Sequence, residues 1–339
     1  MRLTRAEAQE RTRAKVLAAA RDEFAERGFR DAKIDEIAAR AELTRGAVYS
    51  NFPGKRALYF AVLAETTAAQ HGPEHPGTPT TPRDVLGTLA RAWVTRLPMA
   101  TDPQARLGVH LMPEIVADDR VQKPFAQLMW LCAIQLGLTL ENLRPGTREV
   151  RRAQTVLTTL HGAGQLAAAA PGFGEPFTVV TACEQLADAD FDDTWLTPHT
   201  NPDVRTASSP WPLGEDGIVA ILGLHRLSAV EEALRAGTEV TLVLVTADPV
   251  ELIPLARLVI TDFAGLLRNA APASARPRLR IVLDDTSTYT AAAGIDTVTD
   301  MTETALRVES GQVVLRADGF GACHAAATVR TVRSRTGRR

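Results

Sequence analysis

The fold of this chain is decided by residues 34–55, which read I-D-E-I-A-A-R-A-E-L-T-R-G-A-V-Y-S-N-F-P-G-K. Apolar side chains recur here every three or four positions, as they do on one face of a helix: Ile34, Ile37, Ala38 and Ala41. Val48 and Phe52 repeat this spacing beyond Leu43. The segment therefore predicts a helix, a tight turn and a second, shorter helix.

The polar residues of the second predicted helix lie outside its apolar face, so they can contact another molecule. Thr44 precedes this helix, and its hydroxyl can cap the first free amides. Gly46 and Ala47 are small enough to let the backbone approach another surface, and a helix N-terminus can hold a phosphate. This layout is typical of a helix that reads DNA, although two short amphipathic helices joined by a turn also occur in many other all-helical folds.

A longer amphipathic helix is predicted upstream of this pair. Its apolar stripe is formed by Val16, Leu17, Ala20 and Phe24. Gly28 follows as a natural helix stop. Residues 11–29, R-T-R-A-K-V-L-A-A-A-R-D-E-F-A-E-R-G-F, together with the segment quoted above, resemble the N-terminal domain of the tetracycline-repressor (TetR) family of regulators. The resemblance covers about residues 11–63.

The resemblance implies DNA contacts at defined positions. In the family the second helix of the motif enters the major groove of an operator. This would place base and backbone contacts at Arg45, Gly46, Ala47, Tyr49 and Asn51, and phosphate contacts at Thr44 and Lys55. Lys33 departs from the family pattern, which has Ser or Thr there as a helix cap. Lysine cannot accept that hydrogen bond, but its charge can reach a phosphate.

The charge distribution is consistent with a DNA-binding N-terminus. Residues 1–60 contain 13 Lys and Arg against 9 Asp and Glu, a balance of +4, whereas the whole chain has a net charge of −2. Many solvated helical faces would show a similar difference, so this is weak support by itself. Arg2 and Arg5 are candidates for an arm that contacts the flanking backbone or a minor groove.

Composition excludes several classes of protein. The chain has 339 residues, of which 45% are hydrophobic, enough for two or three globular cores. No apolar run approaches the roughly 20 residues that cross a bilayer, and the start of the sequence is charged rather than signal-like, so we expect a cytoplasmic protein. The three cysteines are too few and too scattered for a disulfide framework, a metal site or a catalytic pair. We expect no cofactor and no catalytic residue.

Helical patterns continue beyond the motif, after a Pro, Gly and Thr-rich loop at residues 71–81. They cover about residues 82–97, 104–117, 121–143, 147–170 and 176–190. In the family, such helices form a domain that binds a small effector and dimerises through its last two helices. The resemblance therefore implies a homodimer with packing faces on those two helices: Leu157, Leu160, Ala163, Gly164, Ala167 and Ala168 on one, and Val179, Val180, Cys183 and Leu186 on the other.

Aromatic, Met and His side chains of these helices are candidates for the effector pocket. They are Trp93, His110, Met112, Phe125, Met129, Trp130 and His161. Such residues at helical spacing more often belong to a core than to a pocket, so both interpretations stay open. The two histidines lack metal-ligand spacing, which predicts no metal site.

The pattern changes after residue 195. A Pro, Thr and Ser-rich linker is predicted at residues 196–214. β-branched runs beginning at Ile218 and Val240 then alternate with helical segments, and a hairpin turn E-S-G-Q joins two later strands. The order resembles a thioredoxin-like fold over about residues 217–328. It departs from that fold at the positions that would carry redox chemistry. Ala247, Asp248 and Pro249 stand where a cysteine pair would be, and Thr304 stands near the position of the family's cis-proline.

The predicted fold is mainly α. It comprises a helix-turn-helix domain at residues 1–63, a helical effector-binding and dimerisation domain at 64–195, the linker, a small α/β thioredoxin-like domain at 215–329 and a basic tail at 330–339. The predicted function is that of a ligand-responsive regulator, most often a repressor, that binds a palindromic operator in double-stranded DNA. The alternative is a redox or enzymatic protein whose activity resides in the C-terminal domain, with the DNA-binding domain as an accessory.

Overall fold

The computed structural model describes residues 4–70, 80–97, 107–196, 200–214 and 216–329. The chain forms two compact units: unit 1 comprises Met1–Asp193 and Asp248–Arg276, and unit 2 comprises Thr194–Ala247 and Pro277–Arg339. Arg2 of the predicted arm, residues 71–79 of the predicted loop and the basic tail lie outside the described residues. Arg5 is the first residue of a helix, so it does not belong to an extended arm.

Unit 1 begins with three helices around one small core: α1 (Arg5–Asp31), α2 (Ile34–Arg40) and α3 (Arg45–Asn51). The predicted apolar residues are buried in this core, apart from Ile34 and Leu43, which are half-buried. At Gly28 the backbone of α1 leaves helical angles with a φ of 74°, which favours glycine, so α1 kinks where the sequence predicts its end. The Arg40 guanidinium of α2 donates to Glu26 at 2.7 Å and to the buried Glu23 at 3.3 Å, which joins α2 to α1.

The remaining N-terminal helices of unit 1 agree with the predicted helical segments. They are α4 (Lys55–Gln70), α5 (Pro82–Val94), α6 (Leu111–Val116), α7 (Asp119–Leu143), α8 (Val150–Ala169) and α9 (Pro176–Leu186), with a 3₁₀ turn at Gly108–His110. Side-chain oxygens cap several of them: those of Thr81, Asp118 and Glu175 accept backbone N–H groups of α5, α7 and α9. No helix among the described residues is long and apolar enough to cross a membrane.

The rest of the chain alternates strands and helices. Its elements are β1 (Asp203–Pro210), β2 (Gly217–Gly223), α10 (Val230–Leu234), β3 (Val240–Val245), α11 (Pro249–Ala270), β4 (Leu279–Leu283), α12 (Thr288–Ala292), β5 (Glu303–Glu309), β6 (Gln312–Asp318) and α13 (Ala322–Thr328). The strands form one sheet in the order β1-β6-β5-β2-β3-β4. β2, β3 and β4 are parallel, whereas the other neighbouring pairs are antiparallel.

The mixed sheet confirms an α/β region, and the thioredoxin-like interpretation stays a prediction. The hairpin turn lies where the sequence places it: Ser310 and Gly311 both have positive φ, and the Asp216 carboxylate accepts their N–H groups at 3.1 and 3.0 Å. The core of unit 2 includes Trp211, Ile221 and Val243.

Strand β1 lies inside the predicted linker, so the linker prediction is corrected there. Its sequence D-V-R-T-A-S-S-P shows no apolar alternation because β1 is an edge strand whose side chains are almost all exposed. Backbone pairing with β6 holds this strand in the sheet. A polar edge strand has the composition of a linker, and the sequence does not distinguish the two.

Helix α4 is buried on every side along one stretch. All eight residues from 57 to 64, A-L-Y-F-A-V-L-A, are buried, and Tyr59 donates its hydroxyl hydrogen to the carbonyl of Leu107. A helix that is apolar all round must be covered all round. One helix that packs on α4 is α1, which precedes it in the sequence. A second helix that packs on α4 lies far downstream in the sequence.

That second partner is α11, which belongs to unit 1 although strands of unit 2 precede and follow it in the chain. It packs along α4 and also contacts α5 and α7. Its apolar face is buried, with Leu252, Leu255 and Leu266 among the covered residues. The predicted domain at residues 215–329 is therefore corrected: its longest helix completes the core of the helical unit.

An ion-pair group fixes the start of α4 against α11. The Arg56 guanidinium of α4 bonds to Glu251 in the first turn of α11 and, at 2.7 Å, to Asp118, the N-cap of α7. Arg120 and Arg56 hold the pKa of Asp118 well below its usual range, which keeps this carboxylate ionised. Three helices thus meet at Arg56, one residue after the beginning of α4.

We predict that Leu255→Ala destabilises the protein strongly. Leu255 is fully buried on α11, so truncation leaves a cavity and should lower the free energy of unfolding by about 2–5 kcal/mol. Val250→Ala on the same helix is the matched control, because Val250 is 47% exposed and should change stability by less than about 0.5 kcal/mol. Urea unfolding followed by circular dichroism measures both changes. Equal, small effects would show that the buried face of α11 contributes little to unit 1.

Candidate nucleic-acid interface and small-molecule cleft

The turn between α2 and α3 presents one side of α3 outward. Ile37 of α2 and Val48 of α3 are fully buried against α1, which fixes the opposite face of α3 at the surface. Thr44 is the N-cap of α3, and its hydroxyl oxygen accepts the Ala47 N–H at 3.2 Å. The predicted capping role of Thr44 is therefore present in the structure.

The exposed side of α3 carries most of the predicted DNA contacts. Arg45 and Gly46 are exposed, and Tyr49 is 41% exposed although it is a large aromatic residue. The Arg45 guanidinium lies 5.5 Å from the centre of the Tyr49 ring and 3.3 Å from the Asp35 carboxylate of α2. A basic group and a ring that share one solvated face can contact phosphates and base edges.

Lys33 and Asn51 occupy the two ends of the motif. Lys33 is the exposed N-cap residue of α2 and makes no side-chain capping bond, as the sequence predicts for lysine. The Asn51 amide donates to the Ala47 carbonyl at 2.8 Å, so this half-buried side chain closes the last turn of α3. Ala47 is also only partly exposed. Asn51 and Ala47 are therefore less accessible than Arg45 and Tyr49.

Lys55 has an internal role that the sequence does not reveal. Its ammonium donates to the carbonyls of Arg30 at 3.0 Å and Ala32 at 3.1 Å, and it lies 4.6 Å from the centre of the Phe29 ring. These contacts fasten the start of α4 to the end of α1. An ammonium has three N–H donors, so one donor remains for a phosphate after the two carbonyls are bonded.

A cleft in unit 1 brings together most of the predicted effector-binding residues. One lobe, of about 230 Å³, is lined by residues that include Trp93, Met112, Phe125, Met129 and His161. A second lobe, of about 480 Å³, shares Met112, Phe125, Met129 and His161 and adds Trp130. Six of the seven predicted residues therefore line one or both of these lobes, which share part of their lining, and the ring centroids of Trp93 and His161 are 4.7 Å apart.

His110 is the exception and lies elsewhere. It belongs to the 3₁₀ turn before α6, and its Nε2 is 3.1 Å from the position that a Cβ on Gly28 would occupy. The imidazole thus packs against the kink of α1 rather than in the cleft. Helical spacing predicted an inward orientation at this position, but the local backbone is a tighter turn with a different side-chain direction.

Four residues of the cleft come from α11 and were not predicted from the sequence. They are Leu258, Val259, Asp262 and Phe263. No local signal marks them, because their segment was assigned to the α/β domain. The indirect signal is the apolar run at residues 57–64 of α4, which requires a covering helix that the first 195 residues do not supply.

The polar groups of the cleft are few. The His161 Nδ1 lies 2.8 Å from the Leu157 carbonyl, which can only accept, so Nδ1 carries the hydrogen. Burial lowers the pKa of His161, which leaves the imidazole neutral near pH 7 with Nε2 as an acceptor. Among the described lining residues of the first lobe, the other side chains with N–H, O–H or oxygen groups are those of Trp93, Gln165, Thr67 and Asp262.

Comparisons with known proteins agree with the helix-turn-helix geometry. The model of bacterial regulatory proteins of the tetR family matches residues 16–62. The HTH-type transcriptional regulator TtgW of Pseudomonas putida is 40% identical over 109 residues, which are 31% of this chain and 74% of TtgW. The chain belongs to the TetR family. As a TetR-family protein, it is a DNA-binding transcriptional regulator.

Other relatives match shorter shares of their own length. SrpR, an HTH-type transcriptional regulator of Pseudomonas putida, is 40% identical over 109 residues, so the chain spans 46% of that protein. The transcriptional repressor BepR of Brucella suis is 40% identical over 70 residues, or 33% of its length. The crystal structure of NalD, a repressor of a multidrug efflux pump in Pseudomonas aeruginosa, has 21% identity and a TM-score of 0.36, with 52% of this chain and 94% of NalD covered.

We predict that Tyr49→Ala weakens specific DNA binding without lowering stability. The side chain is exposed on α3, so its loss should cost about tenfold in operator affinity while the melting temperature stays unchanged. Val48→Ala is the neighbouring control, because Val48 is fully buried and should lose stability instead. Fluorescence anisotropy with labelled DNA and thermal melting measure the two effects. Unchanged DNA binding in Tyr49→Ala would remove this face of α3 as the reading surface.

Proposed function

We propose that this TetR-family regulator is a repressor that binds a palindromic operator as a homodimer and is released by a small-molecule effector. The observation that carries the proposal is the placement of α4. The helix begins with Lys55, which bonds the end of α1, and its Thr67 lines the cleft. At 1.5 Å per residue, these two ends are about 18 Å apart along one rigid element.

A ligand in the cleft is therefore connected through α4 to α1, against which α3 packs. An effector releases DNA if it binds more tightly to the conformation in which the two reading helices no longer fit the operator. A differential of about 1–3 kcal/mol changes DNA affinity by about 5- to 150-fold. The cytoplasm is the compartment in which we expect this regulation, because the operator is chromosomal DNA.

A patch of exposed apolar side chains supports the dimer. Leu166 on α8, Phe173 in the following turn and Phe177 on α9 are between 50% and 76% exposed, and we call these three residues the apolar patch. Large apolar groups clustered at the surface are typical of an interface. A two-fold dimer would present two copies of α3 to the two half-sites of a palindrome.

The apolar patch differs from the faces predicted from the sequence. Leu157, Leu160, Val180 and Cys183 are buried within this chain, and Gly164 lines the cleft. Apolar spacing on α8 and α9 identifies residues that are removed from water, but a core and a partner subunit remove them equally well. The exposed side chains lie at the adjoining ends of the two helices.

The alternative redox function lacks a supporting observation. Cys323, a cysteine of the C-terminal region, is fully buried, and burial raises the pKa of its thiol well above the usual value. The nearby carboxylates of Glu303 and Glu232 raise this pKa further. A thiol that stays protonated and inaccessible reacts slowly with oxidants and disulfides. We therefore propose regulation of transcription rather than catalysis.

The decisive test is DNA binding near the protein's own gene. A band-shift assay with the flanking DNA should give one saturable complex that unlabelled fragment removes and unrelated DNA does not. Transcription from the same fragment in a purified polymerase system should fall when the protein is added. Binding with unchanged or increased transcription would contradict repression, and the absence of a specific complex would contradict an operator in this position.

We predict that Phe177→Glu converts the dimer to a monomer. The new charge would be buried in the proposed interface without a partner, and one α3 alone contacts too few bases, so operator affinity should fall more than tenfold. Val116→Glu is the matched control, since Val116 is 67% exposed on α6 outside the apolar patch and its replacement should leave the dimer intact. Light scattering after size exclusion measures the mass. A Phe177→Glu dimer would exclude the patch as the interface.

A further inference from the structure

The helix-turn-helix motif places a carboxylate beside a guanidinium on its outer surface. Asp35 lies in the first turn of α2, and Arg45 is the first residue of α3. The Arg45 Nη1 is 3.3 Å from the Asp35 Oδ1 and 3.5 Å from the Asp35 Oδ2. The Arg45 side chain is 61% exposed and that of Asp35 is 65% exposed. The turn between α2 and α3 therefore builds an ion pair at the surface that DNA approaches.

The fold of the motif does not depend on this ion pair. Water screens an exposed pair of charges, so such a pair contributes little to the free energy of folding. The core beneath α3 is closed by Ile37 and Val48, which are fully buried. Loss of the Asp35 carboxylate should therefore leave the core intact, and its effect is expected on what Arg45 binds.

Arg45 occupies the part of α3 that contacts base edges in helix-turn-helix proteins, the N-terminal part of the second helix. The start of α3 is fixed, because the Thr44 hydroxyl directly before Arg45 caps the helix. Tyr49 follows one turn later on the exposed side, and its ring centre is 5.5 Å from the guanidinium. The guanidinium is thus held between a carboxylate and a ring before DNA arrives, which reduces the entropy lost on binding.

The contact with Asp35 involves one nitrogen of the guanidinium. Both distances to the carboxylate are measured from Nη1, whereas a guanidinium has five N–H donors on three nitrogens. Tyr49, through a side-chain hydrogen bond, and Asp35, through its charge, raise the pKa of Arg45 above its usual value, so the guanidinium stays charged. One nitrogen facing a carboxylate and one hydrogen bond to Tyr49 do not use five donors, so donors remain for a group on DNA.

The Asp35 carboxylate favours one kind of acceptor on DNA over another. A phosphate carries a full negative charge, and a phosphate that bonded the same guanidinium would be repelled by the nearby carboxylate. Guanine has no net charge, and its O6 and N7 accept two hydrogen bonds from one arginine in the major groove. Asp35 therefore disfavours a phosphate as the partner of Arg45 and leaves a guanine edge acceptable.

We propose that Asp35 is a positioning residue for DNA reading, which holds the Arg45 guanidinium for a guanine in the major groove and away from phosphates. The proposal rests on the specific operator proposed above, and it requires neither the dimer nor the effector. Asp35 itself acts through Arg45. Its removal frees the guanidinium for phosphates, so binding to any DNA tightens while discrimination at one base pair is lost.

The test reads base preferences directly with a library of random DNA duplexes of about 30 base pairs, enough for half-sites one or two helical turns apart. Full-length protein selects duplexes from the library, and the bound sequences are counted. The unaltered protein should prefer guanine at a defined position, and Arg45→Ala should weaken that preference about fivefold or more. Asp35→Asn should lose the preference at the same position and at no other. A preference that survives in Asp35→Asn, or a position read by Arg45 that is not guanine, would overturn the proposal.

Three further variants separate positioning from net charge. Glu36 is exposed in the same turn of α2 and forms no ion pair within the described part of the chain, so Glu36→Gln is the matched control and should keep every base preference. Asp35→Glu retains the carboxylate and should restore the preference that Asp35→Asn loses. In the Arg45→Ala background, Asp35→Asn should cause no further change. Equal changes in Glu36→Gln and Asp35→Asn would assign the effect to net charge and contradict the positioning role.

Binding to one unrelated duplex gives a second readout that a purely structural role of Asp35 would not produce. The freed Arg45 gains a phosphate contact, so Asp35→Asn should bind this duplex about two- to fivefold more tightly, with a salt dependence steeper by about one ion. Weaker binding at an unchanged salt dependence would count against the proposal, and thermal melting establishes that each variant is folded. A library without any enriched sequence would contradict the proposed operator and this proposal together, whereas an enriched site that Asp35→Asn does not alter would contradict this proposal alone.

Discussion

The complete burial of α4 over residues 57–64 is the constraint from which the rest of unit 1 follows. Eight consecutive apolar residues leave this helix no face for water, so it needs partners on all sides. α1 provides one, and α5 and α11 provide others. The helix that carries the DNA-reading motif on its N-terminal end is therefore also the centre of the helical core, and a shift of α4 displaces both.

Two charged groups at the start of α4 define its position more narrowly than apolar packing alone. Lys55 bonds the carbonyls at the end of α1, while Arg56 bonds Glu251 of α11 and Asp118 of α7. Apolar contacts tolerate sliding, but hydrogen-bonded ion pairs fix a register. The orientation of α3 relative to the cleft is in this way linked to α11, whose other end supplies the wall with Asp262.

The sequence predicts local elements well here and their assembly less well. The helices of residues 5–186 and the strands from β2 onward follow from apolar periodicity, and six cleft residues follow from aromatic and Met side chains on those helices. The assignment of α11 to unit 1 could not be read from its own residues, because an amphipathic helix fits a sheet as well as a bundle. The exposed edge strand β1, the orientation of His110 and the carbonyl contacts of Lys55 depend on backbone geometry that side-chain patterns do not encode.

The insertion of α11 also bears on the order in which the protein is assembled. The ribosome completes α4 long before it reaches Pro249, so residues 57–64 cannot be fully covered while β1, β2 and β3 are being made. An apolar helix that waits uncovered is a binding site for chaperones and a route to self-association. A nascent chain that stops before Ala270 lacks the cover of α4 and the carboxylate of the cleft together. The core around α4 and the cleft are therefore expected to be completed at the same moment, late in synthesis, rather than one domain at a time.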